Sequence, residues 1–264
     1  MDKTVFISGA TDGIGRETAR LLAAEGCRLL VHGRNGEKLQ ELVEELSEIN
    51  PSEHHEYYIA DFTCISDVNF MIERIQKTES HIDVLISNAG VYVSEKSLVS
   101  SQQVEKTFMV NQYAAFLLIN GIMPVMQKQG GGQILQVASM IHAQSLDFDQ
   151  LINPAHYDAS GAYGESKLCN IMMVKKLAPE LKSQGILINS LHPGVINTKL
   201  LRKGWGAMGD SPRDAAEYIY QCMQVQNPRI TGEYLMHAKP ARAASFADEA
   251  DNQQVCWKLN VELS

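Results

Sequence analysis

Thr4-Val5-Phe6-Ile7-Ser8-Gly9-Ala10-Thr11-Asp12-Gly13-Ile14-Gly15 decides how the rest of the chain is read. An apolar run leads into a glycine-punctuated turn, and a helix-forming stretch follows from Arg16 to Glu25, with Gly26 as its stop. Strand, glycine turn and helix in that order begin a βαβ unit. The glycines permit backbone angles and close approaches that a side chain would prevent. The exposed N–H groups and positive end of the helix favour an anion such as a pyrophosphate. Taken alone, the segment is also compatible with a purely structural strand-to-helix turn.

Working outward, short apolar runs alternate with helical patterns, as a parallel sheet built from βαβ units requires. The expected strands are Thr4–Ser8, Arg28–His32, Tyr57–Ala60, Val84–Ser87, Ile134–Ala138, Ile186–Leu191 and Glu233–Met236. Between the second and third, Leu39, Leu42, Val43, Leu46 and Ile49 recur on one helical face, so this helix should cover the sheet. Gly130-Gly131-Gly132 reads as a tight turn before a strand, and no linker, repeat or low-complexity tract divides the chain. The expectation is a single-domain α/β fold over residues 1–264. It is a Rossmann-type doubly wound sheet of about seven mainly parallel strands flanked by helices, with ligands at the carboxyl ends of the strands.

Composition narrows the function. With 31 acidic and 23 basic residues the formal net charge is −8, and no basic stripe interrupts it, so nucleic acid is not an expected partner. The N-terminal apolar run is too short for a signal peptide. The longest apolar stretch, Ala114 to Met126, is interrupted by Asn120, Gly121 and Pro124, so no membrane span is expected. The 5 cysteines form no C-x-x-C pair and read as reduced packing residues of a cytoplasmic protein. The 8 histidines form no ligand cluster, so no metal is expected.

At the end of the second strand the chain reads Val31-His32-Gly33-Arg34-Asn35. An NAD-specific enzyme usually carries an acid there for the ribose hydroxyls; here glycine stands at that position and Arg34 offers a planar cation to a 2′-phosphate. NADP is therefore expected, with NAD kept open because Arg34 also suits a solvated helix start and Asp12 adds a nearby negative charge. Downstream, Tyr163 and Lys167 lie four residues apart on one helical face. A free tyrosine titrates near pH 10. A cation about 4–5 Å away at an effective dielectric of about 20 would favour the phenolate by roughly 3–4 kcal/mol, or about two to three pKa units. The strand ending at Ala138 delivers Ser139 to the sheet's carboxyl edge, where its hydroxyl can donate to a carbonyl oxygen as charge develops. Asn111, in Met109-Val110-Asn111-Gln112-Tyr113, falls in the middle of a long helix where propensity disfavours it.

The glycine spacing G-x-x-x-G-x-G, and Asn111, Ser139, Tyr163 and Lys167 in that order, resemble the short-chain dehydrogenase/reductase family. The resemblance runs from Gly9 through Leu191-His192-Pro193-Gly194-Val195-Ile196-Asn197-Thr198. It implies a catalytic tetrad of Asn111, Ser139, Tyr163 and Lys167. It also implies cofactor contacts at Gly9, Thr11, Asp12, Gly13, Ile14, Gly15, Arg34, Asp61, Phe62, Asn88, Ala89, Gly90, Tyr163, Lys167, Pro193, Gly194, Val195 and Thr198. Asp61 would meet the adenine, Asn88-Ala89-Gly90 would line the cofactor and brace the sheet, and Thr198 would sit by the carboxamide. Lys167 would bind the nicotinamide ribose, and Asn111 would hold a relay water.

Ser139-Met140-Ile141-His142-Ala143, Tyr157 through Lys167, and the C-terminal Ile230-Thr231-Gly232-Glu233-Tyr234 are similar to the retinol-dehydrogenase-like branch. Departures are Ser87 for a more usual asparagine, Ala138 before the serine, and Pro179, which should locally break helix hydrogen bonding. The implied activity is hydride transfer between NADP(H) and a ketone or aldehyde, with a lipophilic, polyketide-, steroid- or retinoid-like small molecule as carbonyl or alcohol substrate. Residues 200–211, with Trp205 and Met208 among glycines, read equally as a substrate loop or as an ordinary surface loop. A homodimer is an assembly the family often adopts. The rival reading is a non-catalytic dinucleotide-binding sensor or scaffold on the same fold.

Overall fold

The computed structural model describes residues 3–225, 227 and 229–263. The N-terminal half runs β1 (Thr4–Ile7), α1 (Gly13–Ala24), β2 (Arg28–Gly33), α2 (Gly36–Ile49), β3 (Glu56–Ile59), α3 (Ile65–Thr78) and β4 (Val84–Ser87). A two-stranded hairpin, β5 (Leu98–Val99) and β6 (Val104–Glu105), precedes α4 (Lys106–Phe108), a π-helical turn over Met109–Tyr113, and α5 (Ala114–Gln129). Then come β7 (Gly132–Val137), α6 (Ala159–Ser183), β8 (Ile186–Leu191), α7 (Lys199–Trp205), α8 (Pro212–Met223), β9 (Tyr234–Met236), β10 (Lys239–Ala241) and α9 (Ala250–Glu262).

The main sheet has 8 strands in the order β10-β9-β8-β7-β4-β1-β2-β3, parallel throughout except where β10 returns against β9. Chain order reverses between β1 and β4, and the crevice at such a switch point is where doubly wound sheets bind ligands. Because helices cover both faces, the central strands are apolar on both sides: Val5, Phe6 and Ile7 are all fully buried. One apolar core joins the sheet to α3, α5, α6 and α9, the other to α1, α2 and α8. On α2, Leu39, Leu42 and Leu46 are buried and Val43 and Ile49 pack beside them, as their spacing predicts.

The structure refines three expectations. The doubly wound, mainly parallel sheet has eight strands where about seven were expected. The added β10 follows a turn in which His237 and Ala238 both hold positive φ, 50° and 53°, without the Asn-Gly or Gly signal such hairpin turns usually show. Pro179 has no N–H to give to the helix, as expected, yet α6 continues through it to Ser183. The buried Leu177 and Leu181 flank it. Together their burial contributes about 3–6 kcal/mol, enough to offset the ~3 kcal/mol an internal proline costs. Finally, α4, the π-helical turn and α5 join into one helical run, Lys106–Gln129, long and apolar enough by length and composition to cross a membrane. In this fold 72% of its apolar window is buried as the core helix between sheet and α3.

Candidate active site

The glycine turn is shaped by what packs against it. Gly9 has φ +67°, and a Cβ there would lie 2.9 Å from the Cα of Ala89. A Cβ on Gly15 would lie 2.2 Å from the Gly9 carbonyl oxygen and 2.7 Å from Asn88 Nδ2. The two glycines therefore let the turn after β1 seat directly on the turn after β4. Ser8 and Asn88 fasten them: Ser8 Oγ accepts from the N–H groups of Asn88 and Ala89 at 2.9 and 3.0 Å. Asn88 Nδ2 donates to the carbonyls of Ser8 and Gly9 at 2.9 and 3.2 Å. Asp12 caps α1 by accepting from Gly13 N–H, and its carboxylate also pairs with Lys199. Burial pushes this carboxyl up, but the bonds from Lys199 and Gly13 more than reverse that and hold it below the ordinary value. The negative charge weighed above against a 2′-phosphate is thus matched by a cation.

At the end of β2 the missing acid has a steric reason. A Cβ on Gly33 would come within 2.7 Å of the Thr11 methyl, so a carboxylate side chain there requires Thr11 to move. Arg34 next to it is exposed and joins no ion pair among the described residues. Asp61, after β3, uses Oδ1 to accept from Thr63 N–H and Oγ1. Burial acts to raise its pKa, and these bonds, with the charge of Arg34, bring it below the ordinary value. Phe62 is buried with its ring stacked on His32, 4.2 Å between centroids.

The tetrad residues converge at the carboxyl edge of β4 and β7. Asn111 is fully buried within the π-helical turn, where Ala114 N–H bonds to Met109 five residues back. Its Oδ1 accepts from Val91 N–H at 2.7 Å, and its Nδ2 donates to the Val91 carbonyl and to Ser166 Oγ, both at 3.0 Å. Ser166 Oγ in turn donates to the Tyr163 carbonyl at 2.7 Å, so Asn111 is tied to the helix that carries the phenol. A Cβ on Gly90 would approach Asn111 Oδ1 at 3.4 Å and Lys167 Nζ at 3.6 Å, which brings the Asn88-Ala89-Gly90 turn, the asparagine and the lysine to one place. Ser139 Oγ accepts from Ile141 N–H at 3.0 Å, which leaves its own hydrogen free to donate.

Lys167 Nζ donates to the Val137 carbonyl at 2.9 Å and lies 5.6 Å from the Tyr163 ring centroid. Here the expected charge effect is overturned. Burial pushes the Tyr163 phenol up to about 12, with only the Ser139 hydroxyl acting to lower it, and burial pushes the Lys167 ammonium down to about 8. Desolvation dominates, and the lysine is aimed at a backbone carbonyl. At neutral pH the pair is phenol and ammonium. That is the form in which a proton can be given away.

Above the phenol, residues 199–205 form the helix α7 where a loop was expected. Thr198 caps it, accepting from Leu201 N–H, and the Thr198 methyl faces Gly13 across the glycine turn. Trp205 at its end stands edge-on to Tyr163 and to Tyr92, with centroids 5.5 and 4.9 Å apart. Tyr163 is consequently only 7% exposed.

Residues 3–207 match the short chain dehydrogenase family. The chain belongs to this family. Human retinol dehydrogenase 13 is 31% identical over 280 residues, spanning 99% of this chain and 84% of that protein. Human polyprenol dehydrogenase is 25% identical over 282 residues, spanning 100% and 85%. A short-chain dehydrogenase structure from Escherichia coli, complexed with NADPH, superposes with a TM-score of 0.71 at 25% identity and covers 90% of this chain and 97% of its own. This short-chain dehydrogenase therefore lies in the retinol-dehydrogenase-like branch and is an NAD(P)-dependent oxidoreductase.

Within the family frame, the structure brings Asn111, Ser139, Tyr163, Lys167 and Gly90 together and gathers Gly9 to Gly15, Asn88, Ala89 and Thr198 around one cradle. Pro193, Gly194 and Val195 follow β8 at the same sheet edge; Gly194 has φ +100°, and the Val195 carbonyl accepts from Asp210 N–H at 2.8 Å. Sequence reading passed over Ser8, His32 and Tyr92. Ser8 and His32 sit at strand ends beside the glycine turn, which is a signal position. Tyr92 lies in an irregular segment whose neighbours only the fold reveals. The cradle suits a dinucleotide: side chains are excluded where the backbone must approach a diphosphate, and the N-terminus of α1 faces the space.

Proposed function

We propose that this enzyme reduces an apolar ketone or aldehyde with NADPH, and that Tyr163 is its proton donor. The observation that carries the reading is the buried phenol, held in its acid form beside the Ser139 hydroxyl and the Lys167 ammonium at the carboxyl edge of the sheet. Bound nicotinamide supplies the hydride. The substrate oxygen lies between the Ser139 and Tyr163 hydroxyls; Ser139 donates a hydrogen bond as negative charge grows on it, and Tyr163 gives up its proton to the alkoxide. Lys167, anchored on the Val137 carbonyl, stabilises the phenolate left behind and recharges it from solvent through the Asn111 side.

Gly33 and Arg34 support the 2′-phosphate, as does the NADPH held by the Escherichia coli structure. Tyr92 and Trp205 over the phenol, with the exposed Met140, Ile141, Val195 and Met208 nearby in the chain, support an apolar substrate. The names of the human relatives, a retinol and a polyprenol dehydrogenase, point to the same class. The test is NADPH consumption against a panel of retinoid, isoprenoid, steroid and short polar aldehydes and ketones, with NADH in parallel. The expected result is turnover of the apolar members with NADPH; turnover confined to small polar carbonyls, or equal use of NADH, sinks the corresponding half of the proposal.

A further inference from the structure

His32 is a buried titratable side chain that takes no part in the proton chemistry above. It closes β2, is 3% exposed, and touches both neighbouring strand ends. Gly9 N–H meets its Nδ1 at 3.2 Å, so that nitrogen carries a lone pair; Nε2 lies 3.1 Å from the Ala60 carbonyl, so that nitrogen carries the hydrogen. The two contacts select one neutral tautomer. The residue's own carbonyl accepts from Ala10 N–H at 2.8 Å, and the ring lies nearly parallel to Phe62, with 15° between the planes. A single residue thus holds the first two residues of the glycine turn and the residue just before Asp61.

We propose that His32 is the positioning residue for the nucleotide: its neutral imidazole sets the spacing between the glycine turn that receives the diphosphate and the Ala60–Phe62 segment that receives the adenine end. Gly9, at φ +67°, has the widest backbone freedom of any residue type, and among the described residues its N–H has only this imidazole as a partner. Remove the acceptor and the turn gains conformations in which it no longer fits a diphosphate. A proton added to Nδ1 has the same effect, because two N–H donors then face each other. Burial disfavours that proton and Asp61 is the charge that favours it. The ring stays neutral near pH 7, and its charging is an acid-side event.

The inference rests on the cofactor half of the proposed function. It is tested with the full chain by titrating NADP+ and NAD+ into wild type, His32→Leu and His32→Gln. Glutamine can accept from Gly9 N–H and donate to the Ala60 carbonyl without titrating; leucine can do neither. His32→Leu should weaken NADP+ binding by about tenfold, the scale of one buried hydrogen bond lost. It should raise the KM for NADPH and leave kcat at saturating cofactor within about twofold. His32→Gln should recover most of the affinity. Between pH 7 and about 3.5, wild type should lose about threefold in affinity relative to His32→Gln as the imidazole charges. The cofactor's own phosphate titrates equally in both proteins, so their ratio isolates the histidine.

If His32→Leu does not fold, that pH ratio decides alone. Wild-type affinity in His32→Leu, or a wild-type to His32→Gln ratio that stays constant with pH, overturns the inference while the cofactor reading stands. A wild-type chain that binds neither dinucleotide overturns both.

Discussion

Lys167→Met isolates the charge from the rest of the tyrosine's surroundings. Methionine keeps an unbranched apolar stem of similar length and removes the ammonium and its bond to the Val137 carbonyl. In the wild-type enzyme Nζ is 5.6 Å from the Tyr163 ring centroid. A unit charge about 5–6 Å from the phenolate, in an effective dielectric of about 20, would favour it by roughly 3 kcal/mol, about two pKa units or ~150-fold, against the larger opposing effect of burial. Reduction starts from the phenol, which burial already secures; oxidation needs the phenolate. The two directions should therefore respond differently. Alcohol oxidation with NADP+, followed from about pH 6 to 10, should fall about 100-fold in Lys167→Met throughout that range, because the phenol titrates above it in both proteins. Reduction should fall less, and Lys167→Arg, which keeps the charge, should lose less oxidation than Lys167→Met. An oxidation rate that is unchanged in Lys167→Met, with cofactor still bound, refutes the argument that the lysine acts on the phenol through its charge.

Three further outcomes follow from the geometry. Arg34→Leu should raise the KM for NADPH about 10- to 100-fold, the value of one or two charge-assisted hydrogen bonds, and leave NADH kinetics unchanged; an equal effect on both removes Arg34 from the phosphate site. Gly15→Ala places a Cβ 2.2 Å from the Gly9 carbonyl oxygen and should lower the melting temperature and abolish dinucleotide binding, whereas a variant that binds normally shows that the two turns separate easily. Burial pushes the His32 and His192 imidazoles down to about 4, below their unfolded value near 6.5, so folding opposes their protonation. Their contribution is fully present above about pH 6.5 and is lost as pH falls from there toward about 4, up to about 3 kcal/mol for His32; urea midpoints that match at pH 7 and 4.5 contradict it.

Much of this was legible in the residues, for identifiable reasons. Val84–Ser87 and Ile186–Leu191 are strands with the expected bounds because buried parallel strands are short apolar runs closed by polar residues. The α2 face followed from spacing alone, and the family resemblance named Asn111, Ser139, Tyr163 and Lys167, which lie together in the fold. What was hidden depends on distance in space. Nothing in Met109-Val110-Asn111-Gln112-Tyr113 announces a π-helical turn, which arises where Asn111 is pulled to Val91 and Ser166. The Tyr163–Lys167 spacing promised a close pair, but the lysine bends to the Val137 carbonyl and burial reverses the direction of the tyrosine's shift. His32 read as one more strand residue until its two ring nitrogens were matched to Gly9 and Ala60.

The central claim is that the Tyr163 hydroxyl delivers the proton. Tyr163→Phe removes that one atom and its hydrogen while keeping the ring that packs on Tyr92 and Trp205. Measured as carbonyl reduction at saturating NADPH alongside the NADPH dissociation constant, the variant should lose about 10²- to 10⁴-fold in kcat, the usual share of a general acid, with the dissociation constant unchanged. Turnover within a few-fold of wild type, with cofactor bound as before, would contradict the account.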